Sequence, residues 1–243
     1  MNLALDIGNT RTKLGLFRGS ELVEQTVWTD WTGADLQAYC EQAGVERIAF
    51  ASVAGSEEIL FDLLADRFEL RELTTETPLP FRNRYATPQT LGKDRLAAVA
   101  GAQALYPATD CLVIDCGTCI KYEWLTATGV YEGGNIAPGA KMRIQAMHHF
   151  TARLPEVPLE LPVEEIGRST QTALQNGALL GAILEIRGFV QLFRAKSPQL
   201  QVIITGGDAA FFAPHLEIDH LKVEPNLTLI GLNHLFTPRL QNT

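Results

Sequence analysis

An apolar strand ending in Asp-x-Gly occurs twice in this chain. Leu3-Ala-Leu-Asp-Ile-Gly-Asn-Thr10 and Leu112-Val-Ile-Asp-Cys-Gly-Thr118 share the order of apolar run, acid, glycine, then amide or hydroxyl. Further apolar runs separated by turn residues follow each copy, and then helices mixed with strands. No repeat of solenoid period is present. The pattern confines the chain to an α/β class made of two β-β-β-α-β-α units, near 1–110 and 111–243, whose Asp turns face each other across a cleft.

The local signals fill in this plan. Strands are predicted over Asn2 to Asp6, Lys13 to Arg18 and Glu21 to Trp28, with Gly8-Asn9 and Gly19-Ser20 between them. Leu36, Tyr39, Cys40 and Ala43 stand at helical spacing, with a start signal at Thr32-x-x-Asp35 and a stop at Gly44. A strand follows over Val45 to Val53. A helix capped by Ser56 then carries Ile59, Leu60, Leu63 and Leu64. Residues 74–92 read as a long loop and Lys93 to Leu105 as a helix. Strands over Cys111 to Asp115, Ile120 to Leu125 and Val130-Tyr131 form the second meander, and a glycine loop over 133–139 leads to a helix. A proline-bearing loop over 154–168 precedes a long helix from Thr170 to about Lys196. Gln201 to Thr205 reads as a strand, Gly206-Gly207-Asp208 opens the following helix, and a strand near 221–224 and a helix from about Thr228 to Phe236 close the chain.

Composition enters as a filter. With 243 residues and 46% hydrophobic side chains, the chain buries a substantial core. Its net charge of −8 argues against nucleic acid as a partner. No apolar run reaches the ~18 residues of a membrane span, and Asp6 interrupts the N-terminal apolar stretch where a signal peptide would continue. A cytoplasmic protein is expected. Cys116-Gly-Thr-Cys119 has redox or zinc spacing, but no second pair accompanies it, so two ordinary thiols beside a glycine turn are expected.

The two Asp turns have a chemistry of their own. Gly8 and Gly117 let backbone N–H groups approach a ligand, and Asn9, Thr10, Thr118 and Lys13 add donors and charge, which together make a cradle for phosphate. Asp6 and Asp115 add carboxylates for a cation. A third glycine turn, Thr205-Gly-Gly-Asp208, follows a strand in the same way. Gly92-Lys93-Asp94-Arg95 puts an acid beside a guanidinium in the first turn of a helix. That position favours an ionised Asp94, a group able to orient a hydroxyl and accept its proton during phosphoryl transfer. Arg95 suits an anionic acceptor substrate.

The ordered set resembles type III pantothenate kinase, within the acetate and sugar kinase, heat-shock chaperone and actin superfamily. The residues that carry the resemblance are Asp6-Ile-Gly-Asn-Thr10, Gly92-Lys-Asp-Arg95 preceded by Tyr85, Asp115-Cys-Gly-Thr118, Gly133-Gly-Asn-Ile-Ala-Pro-Gly139, Gly167-Arg-Ser-Thr170 with Asn176-Gly177, and Thr205-Gly-Gly207. The resemblance implies two ribonuclease H-like (actin-like ATPase) domains, each a mixed five-stranded sheet flanked by helices. It implies ATP phosphates on Asp6, Ile7, Gly8, Asn9, Thr10, Arg11, Thr12, Lys13 and Thr118, with Mg²⁺ on Asp6. It implies a pantothenate pocket of Tyr85, Gly92, Lys93, Asp94, Arg95 and Thr170, with Asp94 as the proton acceptor. It further implies a homodimer with the pocket at its interface, where Thr170 comes from the second copy, and a monovalent cation, potassium or ammonium, on Asp115. Two positions depart from the family pattern: Lys93 stands where many relatives have Ala, and Cys119 and Glu123 stand where the second motif has Ala and Asp. The alternatives are another small-molecule kinase of the same superfamily, for a sugar or another hydroxy acid, against which Arg95 and Tyr85 favour an anionic, non-sugar acceptor, and a nucleotide-binding regulator of the same fold, which would have no use for Asp94.

Overall fold

The computed structural model describes residues 1–8, 11–52 and 64–236. The chain divides into two units: 1–108 with 125–133 and 226–243, and 109–124 with 134–225. The division anticipated near residue 110 is crossed twice, because the hairpin around 125–133 and the last helix belong with the first unit.

In the first unit, β1 (Asn2–Ile7) lies at the centre of a five-stranded mixed sheet, with β2 (Thr12–Arg18), β3 (Glu21–Trp28), β4 (Arg47–Ser52) and β5 (Glu69–Glu72) in the order β3-β2-β1-β4-β5. β1 is antiparallel to β2 and parallel to β4. Leu3, Ala4 and Leu5 are fully buried, as expected of a strand covered on both faces. Helix α1 (Gly33–Ala43) begins with a capping box between Thr32 and Asp35 and ends at Gly44 in the left-handed conformation (φ 62°), as the start and stop signals required. The hydrogen bonds from Thr32 hold the Asp35 carboxyl below its usual pKa. The helix expected from Ser56 falls outside the described residues, apart from its buried Leu64.

Helix α2 (Lys93–Leu105) has the predicted bounds. It packs on the last helix of the chain, α7 (Leu227–Phe236), by way of small side chains. Ala97, Ala98, Ala100 and Ala102 are buried. A Cβ on Gly101 would strike the Leu227 carbonyl, and one on Gly231 would strike that of Ala97, so glycine is required at both crossings. Asn233 fixes α7 further: its Nδ2 donates to Gly19 O at 2.8 Å and its Oδ1 accepts from Asn2 Nδ2 at 3.1 Å. This packing holds the α2 N-terminus in place.

The second sheet is six-stranded rather than five-stranded. Its order is β11-β10-β7-β8-β9-β6, where β6 is Arg82–Asn83, β7 Cys111–Cys116, β8 Cys119–Leu125, β9 Val130–Pro138, β10 Gln201–Thr205 and β11 Lys222–Val223. The additional strand β6 comes from the stretch read as loop and pairs with Val130 and Tyr131 at the start of β9. β9 runs through Gly133 and Gly134 to Pro138, where a glycine loop was expected. At Gly134 a Cβ would strike the Tyr122 carbonyl, so the glycine allows close strand approach rather than a turn. Helix α3 (Ala140–His149) follows. The predicted long helix is α4 (Thr170–Gln175) and α5 (Gly181–Arg194), joined by a π-helical segment, Asn176–Leu180. Asn176 Nδ2 donates to Glu164 O at 2.8 Å and Gln175 Nε2 to Pro158 O at 3.0 Å, which ties the proline-bearing segment down on this helix. The helix after Gly206-Gly207 is short, α6 (Ala209–Phe212). Among the described residues no helix is long and apolar enough to cross a membrane.

Candidate active site

The first Asp turn connects β1 to β2. Asp6 is half-buried at the end of β1 and lies in register with Lys13 of β2. Gly8 N–H donates to Arg11 O at 3.0 Å, which folds the connection back on itself. Ile7 and Thr12 are buried, and Thr12 Oγ1 accepts from Trp31 Nε1 at 3.0 Å. Thr12 is therefore part of the scaffold beneath the turn, whereas Arg11 is exposed. Asn9 and Thr10 fall outside the described residues.

The Gly92–Arg95 motif forms the first turn of α2, with Gly92 as its N-cap. Arg95 is only 5% exposed. Its Nη2 donates to Tyr131 Oη at 3.1 Å, its Nη1 to Tyr85 Oη at 3.4 Å, and its guanidinium carbon lies 5.2 Å from the Tyr85 ring centre. The Tyr85 and Tyr131 rings are parallel within 6°, their centres 6.5 Å apart. Gly133 (φ 105°) passes beside the Tyr85 ring. Tyr85 and Tyr131 thus hold the Arg95 guanidinium rigidly in the same helix turn as Gly92 and Asp94. Lys93 turns towards β5, where its Nζ pairs with Glu72 Oε1 at 2.5 Å. Tyr131, buried and bonded to Arg95, is a site residue that the motif reading missed. Its signal was its place two residues before Gly133 in a strand next to the Tyr85 segment.

The second Asp turn connects β7 to β8. Gly117 N–H donates to Cys119 O at 3.0 Å, and Gly139 N–H to Thr118 O at 3.0 Å, which leaves the Thr118 side chain exposed at the start of α3. Gly206 (φ 95°) packs so closely that a Cβ would meet Cys116 O and Asp115 Oδ1. Asp115 Oδ2 accepts from Lys121 Nζ at 2.6 Å, and each side chain is only 18% exposed. The carboxylate that the resemblance assigns to a monovalent cation therefore already holds an ammonium group. Below this turn, Glu185 accepts from Tyr122 Oη at 2.9 Å and from Arg143 Nη2 at 2.7 Å, while Arg143 Nε donates to Pro138 O at 2.8 Å. Burial and Glu185 push the Tyr122 hydroxyl pKa far up, so it stays a donor. Cys116 is buried and Cys119 half-buried, both as free thiols. Burial and the Asp115 charge raise the Cys116 pKa, which suits a packing residue rather than a nucleophile. Thr170 is exposed in the first turn of α4, just after the Ser169 cap.

Solved structures share this architecture. A Baf family protein described as a transcriptional activator, from Campylobacter jejuni, superposes with a TM-score of 0.63 at 22% identity over 96% of both chains. A ROK hexokinase from Thermus thermophilus superposes at 0.53 and 14% identity, again over 96% of both. The fold is thus that of the actin-like ATPases and ROK sugar kinases. The family model described as type III pantothenate kinase matches residues 2–192. Type III pantothenate kinases from Bacteroides fragilis and Phocaeicola vulgatus are 40% and 41% identical over 97% and 98% of each chain, and that of Flavobacterium psychrophilum is 34% identical over 97% of this chain. The chain belongs to the type III pantothenate kinase family.

Proposed function

We propose that Asp94 is the proton acceptor in the ATP-dependent phosphorylation of pantothenate to 4′-phosphopantothenate, the first step of coenzyme A biosynthesis, to which this family is dedicated. The observation that carries the reading is the Arg95 guanidinium, locked by Tyr85 and Tyr131 one residue beyond Asp94. A fixed guanidinium recognises a carboxylate substrate, and a carboxylate at the same helix start serves its hydroxyl.

In this reading Tyr85, Gly92, Arg95 and Thr170 line the acceptor pocket, and Lys93 bounds it through its pair with Glu72. The substrate hydroxyl gives its proton to an Asp94 Oδ as its oxygen attacks the γ-phosphorus, and the bond to the β-phosphate oxygen breaks to release ADP. Asp6 to Lys13 and Thr118 bind the ATP phosphates through backbone N–H groups, hydroxyls and the Lys13 charge. Mg²⁺ fits Asp6, a half-buried carboxylate at a strand end, because this ion takes one or two carboxylates together with phosphate oxygens. When bound, it neutralises charge on the phosphates.

Thr170 follows a segment rich in exposed apolar groups: Phe150 is 81%, Ile166 77% and Val163 102% exposed. Such a surface supports a homodimer in which the second copy covers these groups and supplies Thr170 to the pocket. Light scattering of the purified chain tests this, and a monomer at micromolar concentration overturns it. A cytoplasmic location is consistent with four free thiols.

The experiment for the reaction is pantothenate-dependent ADP release. Asp94→Asn is expected to lower kcat by roughly 10²–10⁴-fold while ATP binding by calorimetry is retained. Normal turnover by that variant removes Asp94 from the role.

A further inference from the structure

The family resemblance places a diffusible monovalent cation on Asp115, and the residues here do not fit it. One carboxylate oxygen of Asp115 is taken by Lys121 Nζ at 2.6 Å. The other lies against the backbone of Gly206, where even a methyl group would not fit. Lys121 and Glu123 share one face of β8, since side chains two apart in a strand point the same way. Glu123 is 1% exposed and stands at the family's second acidic position. Lys121 therefore projects from the same face as that second carboxylate while pairing with the first. A potassium ion bound to Asp115 would stand within a few ångströms of a like charge in a site with little water to screen it.

We propose that Lys121 is a built-in monovalent cation. Its ε-ammonium is a substituted ammonium ion with the charge of potassium, tethered by the chain instead of drawn from solution. It holds the Asp115 carboxylate, and with it the Gly117-Thr118 turn, in one arrangement at any salt composition. The enzyme then works without added potassium or ammonium. This inference rests on the kinase reading, and the test separates the two.

ADP release with ATP, Mg²⁺ and pantothenate is measured in potassium, ammonium and choline salts at equal ionic strength. Wild-type rates are expected to agree within about twofold in all three. Lys121→Met removes the charge and keeps the length. Its rate is expected to fall by roughly tenfold or more in choline and to recover in potassium or ammonium. Melting temperature gives an independent readout, because an ion that binds only the folded state raises it. Potassium is expected to raise that of Lys121→Met and to leave that of the wild type unchanged relative to choline.

A wild-type enzyme that needs potassium overturns the inference and leaves the kinase intact. A Lys121→Met enzyme as salt-indifferent as the wild type also overturns it. If no salt supports pantothenate-dependent release, the kinase reading falls, and the melting temperatures alone decide whether Lys121 occupies a cation site. If Lys121→Met fails to fold, the wild-type salt series decides.

Discussion

The two Asp turns start from one plan and end in different states. Each follows a buried central strand, each has a lysine on the next strand, and each contains Asp-x-Gly. In the first, residues 8–11 connect β1 to β2; in the second, only 117–118 connect β7 to β8. The longer connection is the one to which the proposed function assigns the ATP phosphates. The shorter one is clamped by Gly139 N–H on Thr118 and by Gly206 against Cys116, and its acid is bound to Lys121. In the proposed function the first turn receives the phosphates, and the contacts of the second make it a rigid abutment. A repeated scaffold can thus keep its topology while the length of the connection and the backbone contacts around it differ between the copies.

The largest effect that would test this contrast comes from the acids themselves. If Asp6 holds Mg²⁺ as proposed, Asp6→Asn is expected to lower kcat/KM by roughly 10²-fold or more with little change in stability, because it removes the charge that would hold the ion against the phosphates. Asp115→Asn removes the ion pair with Lys121 and is expected to cost about 1–3 kcal/mol of stability. Steady-state kinetics paired with urea denaturation measures both quantities. If Asp115→Asn proves as stable as the wild type, the abutment is not what the ion pair provides. The glycines come next. Gly206→Ala needs a positive φ and a Cβ in the place of the Cys116 carbonyl, and a loss of about 1–3 kcal/mol is expected. Gly8→Ala meets, among the described residues, the Arg11 carbonyl at 3.1 Å, and a loss below about 1 kcal/mol is expected. Equal losses at the two glycines would erase the difference in rigidity.

Much of this was legible in the residues. The Asp turns, α1 with both its caps and the bounds of α2 all follow from turn, cap and periodicity signals, because each of those signals acts locally. What escaped depends on partners distant in sequence. β5 is a charged strand, Glu69–Glu72, whose only claim to strand structure is pairing with β4. Gly133-Gly134 look like a turn until Tyr122 is placed against them. The π-helical segment at Asn176–Leu180 carries no breaker that would mark it. At the site, the motif residues around Arg95 were found, and the two tyrosines that hold it were found only in part. Lys121 was overlooked although a two-residue turn sets it six positions after Asp115, near enough to face it across the hairpin.

The last effect, absent at neutral pH, concerns the middle residue of the two motifs, Ile7 in one and Cys116 in the other. Both are buried, so at neutral pH the thiol packs like an aliphatic group. Burial, with Asp115 and Asp208 nearby, raises its folded pKa well above the ordinary 9.0. Below 9.0 both folded and unfolded chains keep the proton, and the contribution of the thiol to stability is complete. As pH rises past 9.0 the unfolded chain loses the proton while the folded one retains it, so stability is lost. The expected slope from this one group is about 1.4 kcal/mol per pH unit. Cys116→Val gives the second motif an apolar β-branched residue like Ile7 of the first, and should remove that increment from the alkaline limb. Cys40 and Cys111, both pushed up to about 12 by burial, keep their own share of the slope in either protein. Denaturant titrations of wild type and Cys116→Val at neutral pH and at a pH above 9.0 isolate the difference. Parallel stability curves would mean that Cys116 is ionised in the folded chain, and that the second turn is more open to water than its glycine clamps require.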